Sequence, residues 1–411
     1  MNLCISKFLL GTDYHLAHDN KSNTYSWTSH VPEKTWFYGN APNCKMSLND
    51  LCLLFYIDPK DKPAEKYVSA YTVVGLPAGL SVPWHLALPR KVFQKFISDL
   101  VEDLWRAIKQ LDDTTYRKRF LINREALTRL SPSCIDIQKL KHLLAKEKNP
   151  TLLSTLKSFQ PLSNEFIEPP VYQQGSTGRT IVKRGPKILT LKKDFRTIFK
   201  SRYTGGKIVQ LDYTSLEPRI MMALSGKDPS RDIYKDVAKD LSLDLDRTKL
   251  KIAVMGALYG ISAVRLQSMV SRTVDASIVL DKIKKIFKIN ELGNRLAREY
   301  RTDSKICNFY GRPLTFTKPD KHLFVSHYVQ STGVDVCLGG FNKIIDTIKS
   351  KDLKISPIYI IHDALILDVA PEEFNSLKKL AASGAKIDGF NIDFPISISD
   401  VSESDNSVAG R

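Results

Sequence analysis

The most constraining feature of the sequence is a pair of apolar runs, PIYII and ALILDV, that flank His362-Asp363 within residues 357–369. Two such runs on either side of two residues predict buried strands joined by a tight hairpin with an acid at its tip. Burying a lone carboxylate in apolar surroundings is costly unless it is paired or binds a metal. The pattern therefore indicates either a metal ligand or a hydrogen-bonded structural aspartate.

A second segment, KIVQLDYTSLEPRIMMAL (207–224), predicts a strand that ends at Asp212 and then a helix. Thr214 or Ser215 can cap this helix, and Glu217 lies in its first turn. A carboxylate at a strand end beside a helix start is well placed to hold a hard cation near an anionic ligand. Alone the pattern is weak, because an aspartate after a strand is usually a cap or turn residue.

A third segment, RTKLKIAVMGALYG (247–260), places four residues at a spacing of four: Arg247, Lys251, Met255 and Tyr259. Residues at this spacing share one slowly drifting stripe of a helix. Two cations followed by an apolar and an aromatic side chain suit the phosphates, sugar and base of a nucleoside triphosphate. The alternative is a solvated basic turn that leads into a core stripe.

The charge balance points to a polyanionic partner. The 411 residues include 61 Lys and Arg against 44 Asp and Glu, a net charge of +17. Neutralising phosphates with such an excess releases condensed counterions and favours binding. A basic protein without a nucleic-acid partner is the alternative that charge alone leaves open.

The six cysteines form no CxxC pair, so neither a zinc site nor a disulfide framework is expected. The start, MNLCISKFLLGTD, is not typical of a signal peptide, and no segment has the length of a membrane span. These features predict a cytoplasmic protein, in the host cytoplasm if a phage or plasmid encodes it.

Periodicity predicts an α+β arrangement in which an antiparallel sheet is flanked by helical lobes. The predicted helices cover about 91–111, 115–130, 136–159 (broken near Asn149-Pro150), a region from Ser215, 232–300 and 323–348. Besides the strand at 207–213 and the hairpin, a last strand is expected around 394–398. Residues 1–90 carry no assignable motif.

In order and spacing, these segments resemble the family A (DNA polymerase I type) DNA polymerases. DYTSLEPR resembles motif A of that family, Arg-x3-Lys-x7-Tyr-Gly motif B, and His-Asp in a hairpin motif C. Further similar elements are Thr177-Gly178-Arg179, Phe195-Arg196-x2-Phe199, Asp232-Ile233-Tyr234, Phe309-Tyr310-Gly311-Arg312 and Gln330-Ser331-Thr332-Gly333-x-Asp335. The resemblance covers about residues 115–400.

The resemblance implies a right-hand polymerase fold with an antiparallel-sheet palm, helical fingers and a helical thumb. The implied division is an N-terminal region of unassigned role (1–114), thumb (115–175), first palm part with motif A (176–225), fingers with motif B (226–300), and second palm part with motif C and tail (301–411). The lysine-rich helices around 139–157 would belong to the thumb.

The resemblance also implies two-metal-ion phosphoryl transfer to a primer 3′-hydroxyl. Asp212 and Asp363, with the backbone carbonyl of Tyr213, would hold two Mg²⁺ ions, for which Mn²⁺ is an expected substitute, and Lys251 would protonate the departing pyrophosphate. The implied dNTP-binding residues are Arg247, Lys251, Met255, Tyr259 and Glu217. The implied contacts to primer-template DNA are Arg179, Arg219, Gln330, His362 and Arg312.

Two positions depart from the family pattern. Ala364 follows His362-Asp363 where the family often has an acid, and Met255 stands where its DNA polymerases usually carry an aromatic residue. Met255 resembles the single-subunit RNA polymerases, whereas Glu217 matches the DNA enzymes, in which it excludes a ribose hydroxyl. A relaxed-sugar or RNA polymerase is therefore the alternative, and an inactive nucleic-acid-binding polymerase fold is a second one.

The sequence contains no Asp-x-Glu motif, with which the proofreading exonucleases of the family begin. We therefore expect DNA synthesis without a 3′–5′ exonuclease, by a monomer whose partners are primer-template DNA and dNTPs. So compact an enzyme suggests a phage or other mobile element by analogy.

Overall fold

The structure is a computed structural model that describes residues 2–5, 15–19, 24–32, 35–38, 89, 91, 92, 95, 114–161, 164–175, 177–230, 232–241, 246–270, 275–303, 306–314, 316 and 320–401. The chain divides into two compact units, residues 1–124 and 125–411. The polar C-terminal tail after residue 401 lies outside the described residues.

The first unit contains a four-stranded sheet. Its strands are β1 (Asn2–Ile5), β2 (His15–Asp19), β3 (Thr24–Thr28) and β4 (Thr35–Tyr38), in the order β3-β2-β1-β4. The first three strands form an antiparallel meander, and β4 pairs parallel to β1. Of the helix predicted at 91–111, only residues 91, 92 and 95 are described, and all three are helical.

Helix α1 (Thr114–Thr128) agrees with the helix predicted at 115–130, and the boundary between the two units falls within it. After β5 (Ser133–Ile135), helices α2 (Ile137–Lys146) and α3 (Pro150–Lys157) confirm the prediction of a helical region broken near Asn149. The break has a local cause. The Asn149 side chain accepts hydrogen bonds from two backbone N–H groups of α3, and Pro150 occupies the first helical position.

Four short strands follow: β6 (Phe166–Ile167), β7 (Val171–Gln174), β8 (Thr180–Arg184) and β9 (Phe199–Lys200). Strands β7 and β8 form an antiparallel hairpin, and β6, β5 and β9 form a small sheet in that order. The ring of Phe159, which follows α3, packs against Phe199 and Tyr359. The lysine-rich helices α2 and α3 therefore belong to the same packed unit as the residues of the hairpin at 357–369.

The remaining elements alternate between one central sheet and a set of helices. In chain order they are β10 (Lys207–Tyr213), α4 (Leu216–Leu224), α5 (Ile233–Leu241), α6 (Arg247–Leu258), α7 (Ala263–Val270), α8 (Ala276–Ile286), α9 (Ile289–Asp303), β11 (Ile306–Cys307), β12 (Pro313–Leu314), α10 (Lys321–Ser350), β13 (Ile355–Ile361), β14 (Ala364–Val369), α11 (Leu377–Ala385) and β15 (Ile396–Asp400).

The central sheet has the order β13-β14-β10-β15, and every neighbouring pair is antiparallel. Strand β14 is buried along its whole length, which accounts for the apolar side chains at five of its six positions. The exception, Asp368, is neutralised inside the sheet by the Arg202 guanidinium at 2.9 Å and by the Ser201 hydroxyl.

Helices α4 to α9 and the first half of α10 share one continuous apolar core. Helix α10 is 30 residues long and passes from that core to the central sheet, where Phe341 packs against the Tyr213 ring. One helix therefore connects the helical lobe to the strand that carries Asp212.

The α+β fold and the antiparallel sheet confirm the fold class predicted from the sequence. The strand predicted around 394–398 begins and ends two residues later, at Ile396 and Asp400. None of the helices among the described residues combines the length and apolar character that crossing a membrane requires.

Candidate active site

Asp212 and Asp363 lie side by side because of how β10 and β14 pair. Asp212 is opposite Ala364 in the ladder, and the backbone N–H of Tyr213 donates to the carbonyl oxygen of Asp363 at 3.1 Å. His362, the other turn residue, has a left-handed backbone with φ 54°. The hairpin predicted at these residues is confirmed, and its two-residue turn fixes the position of Asp363 beside Asp212.

The two aspartates face a cleft of about 380 Å³. It is lined by Arg179, Thr180, Asp212, Tyr213, Ser215, Leu216, Glu217, Pro218, Tyr234, Lys251, Met255, Gln330, Gly333, Val334, Cys337, Leu338, His362 and Asp363. Nine of the thirteen site residues expected from the sequence are among them. Five separate stretches of chain supply these nine, so their meeting is a result of the fold.

The two carboxylates repel each other in partly desolvated surroundings. Burial, followed by the charge of Asp363, raises the pKa of Asp212 to about 6. Burial also raises the pKa of Asp363. The Gln210 side chain, two residues before Asp212 on the same face of β10, hydrogen-bonds Asp212 and opposes its shift. Two such carboxylates are suited to a multivalent cation.

Glu217 is positioned by α4 and held from α6. The Tyr259 hydroxyl donates to Glu217 Oε1 at 2.6 Å, although Tyr259 itself is 41% exposed. Burial raises the pKa of Glu217, while this hydrogen bond and Arg179 oppose the shift. Ser215 stands at the start of α4 but, contrary to expectation, makes no capping hydrogen bond, because its backbone is left-handed with φ 55°.

Arg179, Gln330 and His362 form a further part of the cleft wall. The Gln330 amide contacts the Tyr259 hydroxyl at 3.3 Å, so this part adjoins the pair of Glu217 and Tyr259. In the amide orientation that satisfies both of its ends, Gln330 accepts from Arg179 Nε and Nη2 at 3.2 Å and donates to Thr177 Oγ1 at 2.8 Å. Burial, followed by the charge of Arg179, lowers the pKa of His362. This wall offers hydrogen-bonding groups from a hairpin, a helix and a turn.

Comparison with known proteins decides the family. The model of the DNA polymerase family A matches residues 98–400, most of the chain. The chain belongs to DNA polymerase family A. A search of curated proteins found no significant match. Among solved structures, the chain is similar to the POL domain of Pol1 from M. smegmatis in complex with DNA primer-template and dNTP, with a TM-score of 0.66, 14% sequence identity, and coverage of 94% of this chain and 92% of that one.

This polymerase is therefore a DNA-directed DNA polymerase by family, and its right-hand fold agrees with that likeness. The prediction from motifs A, B and C is confirmed at the level of the family.

Arg247 lies outside the residues that line the cleft. Its guanidinium pairs with Asp232 at 3.3 Å and lies over the Tyr234 ring, 5.2 Å from the centroid. The Arg247 side chain is 60% exposed in this arrangement. Tyr234 is a lining residue, so Arg247 borders the cleft through that ring.

The structure places Arg219 and Arg312 inside the polymerase fold, which argues against the DNA contacts expected from the sequence. Arg219 is 2% exposed and donates to the carbonyl oxygens of Thr214 and Ser230. Arg312 is 5% exposed and pairs with the fully buried Asp335 at 2.8 Å. Sequence cannot distinguish a buried arginine from a DNA-binding one, because both patterns show only a cation near a motif.

Sequence reasoning missed several residues at the site. Thr180, Tyr234 and Cys337 line the cleft. Tyr234 belongs to one of the segments that resemble the family, whereas Thr180 directly follows such a segment and Cys337 lies two residues beyond another. Arg196 donates to Gln210 Oε1 at 3.0 Å and lies close enough to Asp212 to favour its charged form. The alternation along β10 could have indicated that Gln210 and Asp212 share a face.

Proposed function

We propose that this polymerase extends a DNA primer along a DNA template at the cleft, with Asp212 and Asp363 as the metal-binding carboxylates. The observation that carries the proposal is that both aspartates share one cleft with Lys251 and Glu217 in a chain of family A. Primer-template DNA and dNTPs are the partners we infer. The related POL domain of Pol1 was solved with both, which supports this inference.

The residues present fit a divalent metal. Family A polymerases use such ions, and two half-buried carboxylates with raised pKa values provide hard oxygen ligands whose repulsion a cation relieves. Among the described residues no third Asp, Glu, His or Cys joins them, so we propose that the Tyr213 carbonyl and the substrate complete the coordination. Two bound Mg²⁺ ions would stabilise the attacking and leaving oxygens.

Lys251 is the cation that we place on the triphosphate. It lines the cleft from α6, and its charge favours the ionised forms of both aspartates. From there its ammonium group can balance the phosphates and donate a proton to the departing pyrophosphate. Arg247, one turn earlier on α6, would bind the distal phosphates after leaving its exposed pair with Asp232.

Glu217 and Tyr259 are the residues we propose for sugar selection. The bond between them fixes a carboxylate on the wall of the cleft, where a ribose 2′-hydroxyl would clash or would bury an unpaired polar group. Met255 lines the same wall one turn before Tyr259, and its flexible side chain would contact the sugar and base.

Arg179, Gln330 and His362 would contact the primer-template near the primer terminus. All three line the cleft beside Asp363 and offer donors or acceptors to the minor groove and the phosphates. Such contacts depend on duplex shape, as an enzyme that copies any template requires. We also propose the division into a thumb (115–175), a palm (176–225 and 301–411) and fingers (226–300).

Primer extension on a DNA template with Mg²⁺, comparing dNTPs with NTPs, tests this function. We expect robust extension with dNTPs and a loss of at least about a thousandfold in Asp212→Asn, because the metal site is then incomplete. Arg202→Lys, which alters an ion pair with Asp368 that does not line the cleft, is the control and should retain activity.

Either of two results would contradict the proposal. Equal or better use of NTPs by the unmodified polymerase would assign it to the relaxed-sugar or RNA polymerase class. DNA binding without extension under any nucleotide or metal condition would leave an inactive nucleic-acid-binding fold.

A further inference from the structure

A buried polar cluster connects three elements behind the Arg179 wall of the cleft. We define this cluster as Gln174, Asn308, Arg312 and Asp335. Each of its members is at most 5% exposed. Gln174 ends β7, Asn308 and Arg312 bound the turn between β11 and β12, and Asp335 lies on α10. None of them lines the cleft, so their polar atoms serve the fold or act through other residues.

Asp335 joins the turn to α10. It accepts from Arg312 Nη2 at 2.8 Å and from Asn308 Nδ2 at 2.6 Å, and Asn308 Nδ2 also contacts the Ser331 hydroxyl at 3.0 Å. Asn308 in turn accepts from the backbone N–H of Arg312 at 2.9 Å. Ser331 directly follows Gln330, so these bonds fix the part of α10 that carries a residue of the cleft wall.

Arg312 joins the turn to the hairpin. Its Nη2 reaches Gln174 Oε1 at 3.4 Å, and Gln174 Nε2 donates to the carbonyl oxygen of Gly178 at 3.0 Å. Gly178 has a left-handed backbone, φ 79°, and a Cβ there would lie 2.8 Å from Arg312 Cζ. The guanidinium therefore packs directly against the residue that precedes Arg179.

We propose that the buried cluster is a positioning device that holds Arg179 and Gln330 in one geometry for the primer terminus. This inference rests on the proposed function. The planar guanidinium of Arg312 can hold both elements, because it donates to Asp335 and Gln174 at once while it packs against Gly178. The cluster acts on primer binding only through the two wall residues that it orients.

Gln174→Leu is the decisive variant, because it replaces the amide that links Arg312 to the hairpin by an apolar side chain of similar volume. We expect the KM for primer-template to rise about tenfold with the KM for dNTP unchanged, since coupled residues in one network interact at about this level. Arg312→Lys keeps the positive charge but cannot donate to Asp335 and Gln174 at once. It should also raise the KM for primer-template and leave the KM for dNTP unchanged.

A double-mutant cycle with Arg179→Ala separates positioning from general damage. If Gln174 acts through Arg179, Gln174→Leu should add almost nothing to the effect of Arg179→Ala. The matched control is Arg202→Lys in the buried pair with Asp368, which should lower stability to a comparable extent without changing the KM for primer-template.

Additive losses in the cycle would overturn the inference, as would a rise in the KM for primer-template in Arg202→Lys as large as that in Gln174→Leu. An Arg179→Ala variant with normal primer binding would overturn it as well. Failure of the proposed function is distinguishable, because in that case the unmodified polymerase itself shows no extension that depends on Asp212.

Discussion

At the scale of single residues, the site depends on carboxylates whose surroundings disfavour their charge. Asp212 and Asp363 repel each other, and burial raises the pKa of Glu217 although the Tyr259 hydroxyl opposes the shift. In the proposed function, a bound cation would relieve the repulsion between the two aspartates, and the glutamate side chain would occupy the space beside the sugar of the nucleotide.

Glu217→Ala should reduce discrimination against NTPs by about a hundredfold, because the side chain that fills the space beside the sugar is removed. The measurement is the ratio of kcat/KM for a dNTP and the matching NTP. Tyr259→Phe retains the ring and loses the 2.6 Å hydrogen bond to Glu217 together with the 3.3 Å contact to Gln330, so it should reduce discrimination less. An unchanged ratio in Glu217→Ala would remove this residue from sugar selection.

Mg²⁺ should raise the Tm of the unmodified polymerase, since an ion that binds only the folded state stabilises it by about 2.7 kcal/mol at a hundred times its Kd. In Asp212→Asn the effect should be much smaller. The same variant should have an equal or higher Tm than the unmodified polymerase in EDTA, because it removes the repulsion between the two carboxylates. Equal Mg²⁺ shifts in both proteins would place the ion elsewhere.

At the scale of elements, α10 connects the helical lobe to the central sheet and packs closely against both. Its close approach depends on Gly340, where a Cβ would overlap the Tyr213 hydroxyl and lie 2.6 Å from the Gly384 carbonyl oxygen. That hydroxyl donates to the same carbonyl at 2.7 Å. The backbone of α10 therefore lies directly against a hydrogen bond between β10 and α11.

Gly340→Ala should lower the free energy of unfolding by about 2–4 kcal/mol, because α10 must move away or the bond between Tyr213 and Gly384 must break. Urea denaturation measures this change. Gly333→Ala is the matched control on the same helix, since its Cβ would meet side-chain atoms no closer than 3.6 Å. Helix propensity should make that variant equal or more stable, by up to about 1 kcal/mol. Similar losses in both variants would contradict the packing argument.

The sequence predicted the elements whose signals are local. Strand β10, the hairpin at His362-Asp363 and the break at Asn149 follow from alternation, apolar runs and a capping residue. The burial of Arg219 and Arg312 depends instead on a carbonyl group and a carboxylate that lie farther along the chain, and no local sequence pattern predicts such partners. The sheet of β1 to β4 was not predicted, because the sequence of residues 1–90 offered no motif that could be assigned.

At the scale of the whole molecule, part of the excess of positive charge is concentrated in one stretch of the chain. Between Arg179 and Lys193 the chain carries six basic residues and no acidic one, and all six are exposed. This stretch begins at the cleft and continues along β8. We expect duplex DNA that leaves the primer terminus to follow it, with counterion release as the driving force.

Replacing both Arg184 and Lys192 by Gln should weaken duplex binding equally for all sequences and reduce the slope of log Kd against log salt by up to about 2. Fluorescence anisotropy over a series of salt concentrations measures both quantities. The control replaces Lys349 and Lys351, exposed residues at the far end of α10, and should leave the slope unchanged. The same loss of slope in both variants would mean that binding follows net charge alone.

The position of β1 has a practical consequence for protein engineering. In the order β3-β2-β1-β4 it is an inner strand, paired antiparallel on one side and parallel on the other. A trimmed expression clone that lacks only residues 2–5 would separate the β2–β3 ribbon from β4 and expose two unpaired edges, which invites aggregation. A fusion partner joined upstream therefore needs a spacer before Asn2, so that the first residues can enter the middle of the sheet.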